Sequence, residues 1–448
     1  MKPNILILGG GFAAVAAAAK LERLLAPAEA SLTLVSRENF SLFTPMLPEV
    51  SSGEIDTRHV VTPIRTQLRR TQFVLAEVTA IDFAGRQVRA GHLLSGRSDS
   101  IPYDQLILAL GSASSTFGLP GVAERVFALK TLEDASILRN RFMWLLEMAD
   151  TISDEEERRK LLCIVVVGGG FTGVETAGEM VDLFQSVARF YRNLRLADIR
   201  IVLVEAGKTL LAGLPVKMGS YSMRDLQRRG VEVVLNDGVN SADDAGLLLS
   251  SGRHIETKTI VWSAGVRSSP LLAQTTLPQS RGGTIVTERD MSVPGFPGVW
   301  AVGDCAAIPD GRGGVYPQTA QHAIREGSVL ARNIVAVLRG VPTKAFHYNS
   351  LGMMASLGGH KAVAQLPGDR VLSGFWAWFL WRTYYLSRLP GLDRKLRVAF
   401  DWTLELLFPR DISELRVYSK RAQSSAAIDA GIVPRDAASA SESSDAKL

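Results

Sequence analysis

Cysteine is almost absent from this 448-residue chain, which has only Cys163 and Cys305. Two such residues cannot build a disulfide framework, and their wide separation excludes the close dithiol of a disulfide reductase. Each sits beside a glycine turn, where small buried residues are common, and a reduced cytoplasmic setting suits them. The six histidines, His59, His92, His254, His322, His347 and His360, show no metal-ligand spacing, so no metal centre is expected. Net charge is scarce as well: 50 Lys plus Arg against 45 Asp plus Glu leave +5, too weak and dispersed to argue for nucleic acid. No apolar run reaches the roughly 18 residues of a membrane-spanning helix. The longest suspicious stretch, Phe375 to Trp381, stops at Arg382. Near the start, Asn4 to Leu8 runs straight into a glycine turn without a cleavage site and reads as a core strand rather than a signal peptide.

What is present is a globular composition, 46% apolar and 21% charged, in a chain long enough for two domains plus an appendage. Two segments, Ile5 to Leu25 and Ile164 to Phe184, share one grammar: a β-branched strand, three glycines, then an apolar helix. A second strand follows each, Leu32 to Val35 and Ile201 to Val204, giving two βαβ starts. The fold class is therefore α/β, with two Rossmann-like dinucleotide-binding domains. Leu106 to Leu110 and Val299 to Val302 read as further buried strands; if the later one returns to the first sheet, the second domain is inserted in the first. The expected division is 1–115 and 291–343 for the first domain, 116–290 for the second, 344–422 for a C-terminal membrane-docking region, strand-like at first and then α-helical, and 423–448 for a disordered tail.

The first fingerprint is Gly9-Gly10-Gly11-Phe12-Ala13-Ala14. Gly9 permits the tight turn, Gly11 lets the backbone approach a pyrophosphate, and small Ala14 lets the helix pack on its strand. Alone, the pattern also fits a plain strand-turn-helix. Its second strand ends in Ser36, followed by Arg37 and Glu38, where an acidic ribose ligand is usual. The second fingerprint is Gly168-Gly169-Gly170-Phe171-Thr172-Gly173, and its second strand does end in an acid, Glu205. That carboxylate either accepts hydrogen bonds from a ribose and repels a 2′-phosphate, favouring NADH, or caps a loop. The long spacing between Gly170 and Glu205 predicts a helix extended through Arg192 to Ala197.

Two such turns followed by Val302-Gly303-Asp304 resemble the two-dinucleotide flavoproteins, in which that late Asp hydrogen-bonds the flavin ribityl chain. Longer stretches narrow the resemblance to the type II NADH:quinone oxidoreductases. They are Leu42 to Val50 (LFTPMLPEV), Gly169 to Glu175 (GGFTGVE), Trp262 to Arg267 (WSAGVR) and Tyr316 to Gln321 (YPQTAQ), and the likeness spans roughly residues 4 to 415. It implies FAD as cofactor, NADH as donor and a membrane quinone, ubiquinone or menaquinone, as acceptor. Hydride passes from NADH to the flavin N5 and two electrons then pass to the quinone, without proton pumping. It places Ser36, Arg37, Thr44, Pro45, Val78, Ala109, Gly111, Asp304, Ala320 and Gln321 with the first fingerprint at FAD. Ala264 and Gly265 join the second at NADH. Glu175 is implied in nicotinamide placement or proton supply, Gln321 in quinone contact, and Lys361 more weakly near the quinone. The family often carries two glutamines where this chain has Arg325-Glu326.

The C-terminal region argues independently. Phe375, Trp376, Trp378, Phe379, Trp381, Tyr384 and Tyr385 fall within eleven residues, followed by Arg382, Arg388, Arg394, Lys395 and Arg397 and by a second helix, Leu396 to Phe408, carrying Trp402. Aromatics beside cations suit a bilayer interface, and a peripheral position on the cytoplasmic face of the cell membrane is expected through Phe375 to Phe408. A dimer or inter-domain interface favours the same residue types. The rival function is a soluble NAD(P)H-dependent reductase serving a ferredoxin- or rubredoxin-like acceptor.

Overall fold

The computed structural model describes residues 2–93 and 95–415, so the tail expected at 423–448 lies outside the described residues. The chain groups into two compact units. One comprises the chain up to Leu42, Val61–Ala113 and Val266–Ser350; the other comprises Phe43–Val60, Ser114–Gly265 and the chain from Leu351.

The first unit is built on a five-stranded parallel sheet in the order Val299–Ala301, Gln105–Leu108, Asn4–Leu8, Ser31–Ser36, Gln72–Leu75. Its central strands are buried on both faces, which is why they read as continuous apolar runs rather than alternating ones. Val299–Ala301 pairs with Gln105–Leu108, so the chain returns to this sheet after leaving it. Helix Phe12–Leu24 packs along helix Ala320–Leu338, an approach close enough that a Cβ at Gly327 would stand 2.3 Å from the Ala13 carbonyl oxygen.

The second unit repeats the design: Val126–Ala128, Thr259–Trp262, Cys163–Val167, Arg200–Glu205 and Val231–Leu235 form another all-parallel sheet. Helix Phe171–Val187 follows the glycine turn and ends there, not at Ala197. Beyond it a loop docks on helix Leu132–Thr151 instead: Asn193 donates its backbone N–H to Asp150 at 2.7 Å, and Tyr191 donates its hydroxyl to Glu147 at 2.9 Å. An antiparallel meander, Met354–Gly358, Lys361–Leu366 and Arg370–Gly374, leads into helices Phe375–Arg388 and Leu392–Glu405.

This grouping differs from the expected boundaries in three places, the first being that residues 266–290, expected in the second domain, join the first unit. Phe43–Val60 and the C-terminal region both join the second unit. The physical reason for these two is a buried ionic cluster. Arg410, almost wholly enclosed, donates to Glu54 at 3.2 Å, Glu179 at 3.0 Å and Glu405 at 3.0 Å, while Arg382 donates to Glu54 at 3.1 Å and Trp402 to Glu49 at 3.2 Å. Burial works against the charge of Arg410, but Glu179, Glu54, Glu405 and Asp182 overcome it and push its pKa up. Burial, with Glu179 next, pushes the carboxyls of Glu49 and Glu54 well above their ordinary range. Breaking such a cluster by removing one partner costs about 3–5 kcal/mol, because the others stay buried without a counter-charge.

Candidate functional site: two glycine turns and their surroundings

At the first turn, Gly9 has φ +113°, and a Cβ there would stand 2.1 Å from the Ala109 carbonyl oxygen, so only glycine fits. Gly11 precedes helix Phe12–Leu24 with no side-chain cap and with open space where a Cβ would stand. Uncapped N–H groups facing open space are what a pyrophosphate requires. The Gly303-Asp304 turn packs against the same helix start: a Cβ at Gly303 would lie 3.2 Å from the Ala13 Cβ. Ser112 donates its hydroxyl to Asp304 at 2.8 Å. Together with Thr319, Ala323 and Glu326, Gly303 and Asp304 line one cleft. The residues present thus fit a dinucleotide with a polyhydroxylated chain reaching Asp304.

Ser36 stands where the missing acid would be. A Cβ at Gly10 would meet its Oγ at 2.5 Å, just as one at Gly169 would meet the Glu205 side chain at 2.9 Å. Arg37 is half-exposed and 3.8 Å from Glu77, a surface pair of small energetic weight. Val78 packs on the first core, and Gly111 turns at φ +66°. Thr44 and Pro45 form a short 3-10 turn, Thr44–Met46, that belongs to the second unit.

Ala320 opens helix Ala320–Leu338, and Gln321 is held by its neighbours: Tyr348 donates to its Oε1 at 3.0 Å and its Nε2 donates to Ser350 at 3.1 Å. Arg325 lies over the Tyr348 ring at 4.2 Å and donates to the Gln321 carbonyl at 2.8 Å. Glu326 has a role its sequence position did not reveal. It is buried and accepts the Gly303 backbone N–H at 2.9 Å, fixing the turn that presents Asp304. Burial pushes its carboxyl up to about 7, the Gly303 N–H opposes this, and Asp304 adds to it. Its one signal in the sequence was that Arg325-Glu326 stands where the family often carries two glutamines.

At the second turn, Gly168 has φ +107°, and Gly170 again leaves open space at an uncapped helix start, ahead of Phe171 and Thr172. Gly173 is the tightest contact: a Cβ there would be 1.8 Å from the Gly168 carbonyl oxygen. Glu205 accepts the backbone N–H groups of Gly169 and Gly207, both at 2.6 Å, so its carboxylate braces the turn. Its remaining lone pairs are the ones a ribose would use. Ala264 sits against Gly168, and Gly265 turns at φ +84° beside Phe117.

Glu175, one turn into the helix, is buried and accepts the Ser356 backbone N–H at 3.1 Å. Burial raises its pKa to about 8, the Ser356 N–H opposes this, and Glu179 raises it further. Lys361 is otherwise engaged. Its ammonium lies 2.8 Å from the buried Asp225 carboxylate, which gives it a structural ion pair rather than a free catalytic charge. Cys305 is enclosed and donates to the Leu108 carbonyl, and burial pushes its thiol up to about 11, so it is inert as a nucleophile. Among the described residues no cluster of metal-ligating side chains occurs.

Residues 3–327 match the pyridine nucleotide-disulphide oxidoreductase family and residues 350–411 the NDH2 C-terminal domain. A type II NADH:quinone oxidoreductase of Mycobacterium tuberculosis is 34% identical over 422 residues, covering 91% of this chain and 89% of that protein. This chain belongs to the type II NADH:quinone oxidoreductase family. Another relative is the internal alternative NAD(P)H-ubiquinone oxidoreductase A1 of Arabidopsis thaliana mitochondria, 31% identical over 92% of this chain and 86% of its own. The solved structure of NDH2 from Plasmodium falciparum in complex with NADH superposes with a TM-score of 0.86 at 21% identity, covering 92% of this chain and 100% of that one. At that identity the match speaks for the fold. The type II oxidoreductase fold thus accounts for both sheets, the meander and the closing helix pair.

Proposed function

We propose that this enzyme oxidises NADH at the Gly168 turn and reduces a membrane quinone, with FAD held along the Gly9 turn and no proton pumping. The observation that carries this reading is the pairing of an acid-braced turn, Glu205 on Gly169, with an open turn onto which Gly303-Asp304 packs. FAD, when bound, supplies the two-electron chemistry between donor and acceptor. The protein's residues bind and orient. Helix starts at Gly11 and Gly170 receive the pyrophosphates, Asp304 takes the ribityl hydroxyls, and Glu205 takes the adenosine ribose of NADH. Gln321, locked by Tyr348 and Ser350, presents a polar edge to the quinone. The balanced reaction, NADH + H⁺ + quinone giving NAD⁺ + quinol, needs one proton beyond the hydride. Glu175, which keeps its proton at neutral pH, is the side chain that supplies it.

The test is steady-state oxidation of NADH and NADPH by the purified enzyme with a short-chain quinone. NADH should be strongly preferred, and Glu205→Ala should shrink the preference at least about tenfold by removing the repulsion of the 2′-phosphate. Equal rates with both donors in the parent enzyme would sink the role of Glu205, and absence of quinone reduction would sink the whole reading.

We also propose peripheral docking on the cytoplasmic face of the cell membrane. No helix among the described residues is long and apolar enough to cross a bilayer. Phe375, Trp376, Phe379, Leu396 and Phe400 are exposed together on the helix pair, an apolar surface of the kind that enters a lipid interface. Not every aromatic takes part. Trp381 and Trp402 turn inward, Tyr385 packs edge-on against Phe43 at 5.9 Å, and Arg382 is buried over Trp378 and Trp402. Deleting the chain from Phe375 would therefore dismantle the second unit. The suitable variant is Trp376→Ser/Phe379→Ser, which should weaken binding to lipid vesicles about tenfold per residue while leaving NADH oxidation with a soluble quinone intact. Unchanged vesicle binding would place the membrane contact elsewhere.

A further inference from the structure

We propose that the basic groove along helix Val216–Arg228 binds the phosphate of an anionic phospholipid headgroup. The proposal rests on membrane docking by the neighbouring aromatics and adds a lipid preference to it.

Tyr221, Arg224 and Arg228 follow one another at helical spacing on a single face and, with Gln227, line an open groove of about 570 Å³. Asp225, one residue after Arg224, points inward and is fully buried. It organises the cations around it. Arg228 and Lys361 each lie 2.8 Å from its Oδ1, Arg229 lies 3.7 Å from its Oδ2, and Arg229 also pairs with Asp182 at 2.6 Å. Three cations therefore face two carboxylates, and Arg224 stands beside them as a fourth. Arg224 is exposed and makes no ion pair among the described residues, so the uncompensated charge sits at the groove. Scattered surface arginines are ordinarily just solvated. Here the two line one concavity, Arg228 is braced from below by the Asp225 carboxylate, and an apolar surface adjoins them.

That last placement identifies the ligand. Lys361–Leu366 pairs with Arg370–Gly374, which runs directly into helix Phe375–Arg388. A Cβ at Gly374 would stand 3.3 Å from the Tyr221 hydroxyl, and the His360 ring meets Trp378 edge-on at 4.9 Å. The groove thus opens beside the exposed Phe375 and Trp376. With those rings at the acyl boundary, the groove would meet the headgroup layer, and the guanidinium forks of Arg224 and Arg228 are suited to bind phosphate oxygens in pairs. A soluble phosphate would gain nothing from the adjoining aromatics, so the phosphodiester of an anionic lipid is the occupant the surface favours.

The test uses the full-length holoenzyme in co-sedimentation with vesicles of pure phosphatidylcholine or of phosphatidylcholine mixed with phosphatidylglycerol. Mixed vesicles should bind more tightly, and the advantage should fade as salt rises. Arg224→Gln and Arg228→Gln should each reduce binding to mixed vesicles roughly fivefold. Neither should alter binding to pure phosphatidylcholine or the rate of NADH oxidation with a soluble quinone, which checks folding. Equal affinity for the two vesicle types, or parent-like binding by the double variant, overturns the headgroup site while leaving the docking reading intact. Displacement from mixed vesicles by millimolar inorganic phosphate also overturns it, in favour of a soluble anion. No binding to either vesicle type overturns the docking reading itself.

Discussion

Replacing Gly173 with alanine should raise the KM for NADH and cut kcat/KM about 10²-fold or more, while the flavin content of the purified enzyme stays at the parent level. The added methyl would stand 1.8 Å from the Gly168 carbonyl oxygen and 2.6 Å from the Ser263 hydroxyl, itself bonded to the carbonyls of Val167 and Gly168. Relief requires the helix or the turn to move, and displacing bound reactants by an ångström suffices for a loss of that size. The first turn supplies the contrast: its equivalent position already carries a methyl, Ala14, fully buried. That helix keeps more distance from its turn. A Gly173→Ala enzyme with an unchanged KM for NADH would show that the close approach does not shape the nucleotide site.

Glu175→Gln should lower kcat for quinone reduction about 10²-fold, the scale of a positioned general acid, with little change in the KM for NADH. The parent rate should fall as pH rises past about 8, the value to which burial brings this carboxyl, and the variant should lack that limb. Stability should respond with a definite sign. Below the ordinary carboxylate pKa of 4.5 both folded and unfolded chains hold the proton. Between there and about 8 the unfolded chain loses it while the folded chain keeps it, so the folded state binds more protons and stability falls with rising pH. Glutamine has no proton to lose, and its amide oxygen can still accept the Ser356 N–H. The variant should therefore gain in Tm over the parent across that window, with the gain levelling off above it. A parent enzyme whose kcat is flat through pH 8 and whose Tm tracks the variant would rule out a protonated Glu175.

Much of what depends on chain neighbours was legible in the sequence, though the helix read through to Ala197 stops at Val187. The two glycine turns, the strands that feed them and Glu205 behind the second are local patterns of spacing and residue type, and each stands where that spacing puts it. The return of Val299–Ala301 to the first sheet could be posed only as a condition, because strand pairing across almost two hundred residues leaves no local mark. The same holds for the groups that define the chemistry of Glu175. Its Ser356 partner is 181 positions away, and the burial that holds its proton comes from packing. Glu326 was visible only as a departure from a familiar glutamine, since its bond is to a backbone N–H that carries no side-chain signature. The aromatic segment was legible in composition but not in orientation. Trp376 and Trp381 are alike in sequence, yet one faces out and the other lies in the core.

The buried cluster around Arg410 has a mechanical consequence. It joins the closing helices to the helix that carries Glu175 through a largely buried set of charges. The helix pair is therefore less an anchor on a tether than a keel. On the docking proposed above, a molecule that settled its aromatic edge into a bilayer would fix the attitude of the helix carrying Glu175 in the same event, and every encounter with donor would then take place at one tilt to the membrane plane.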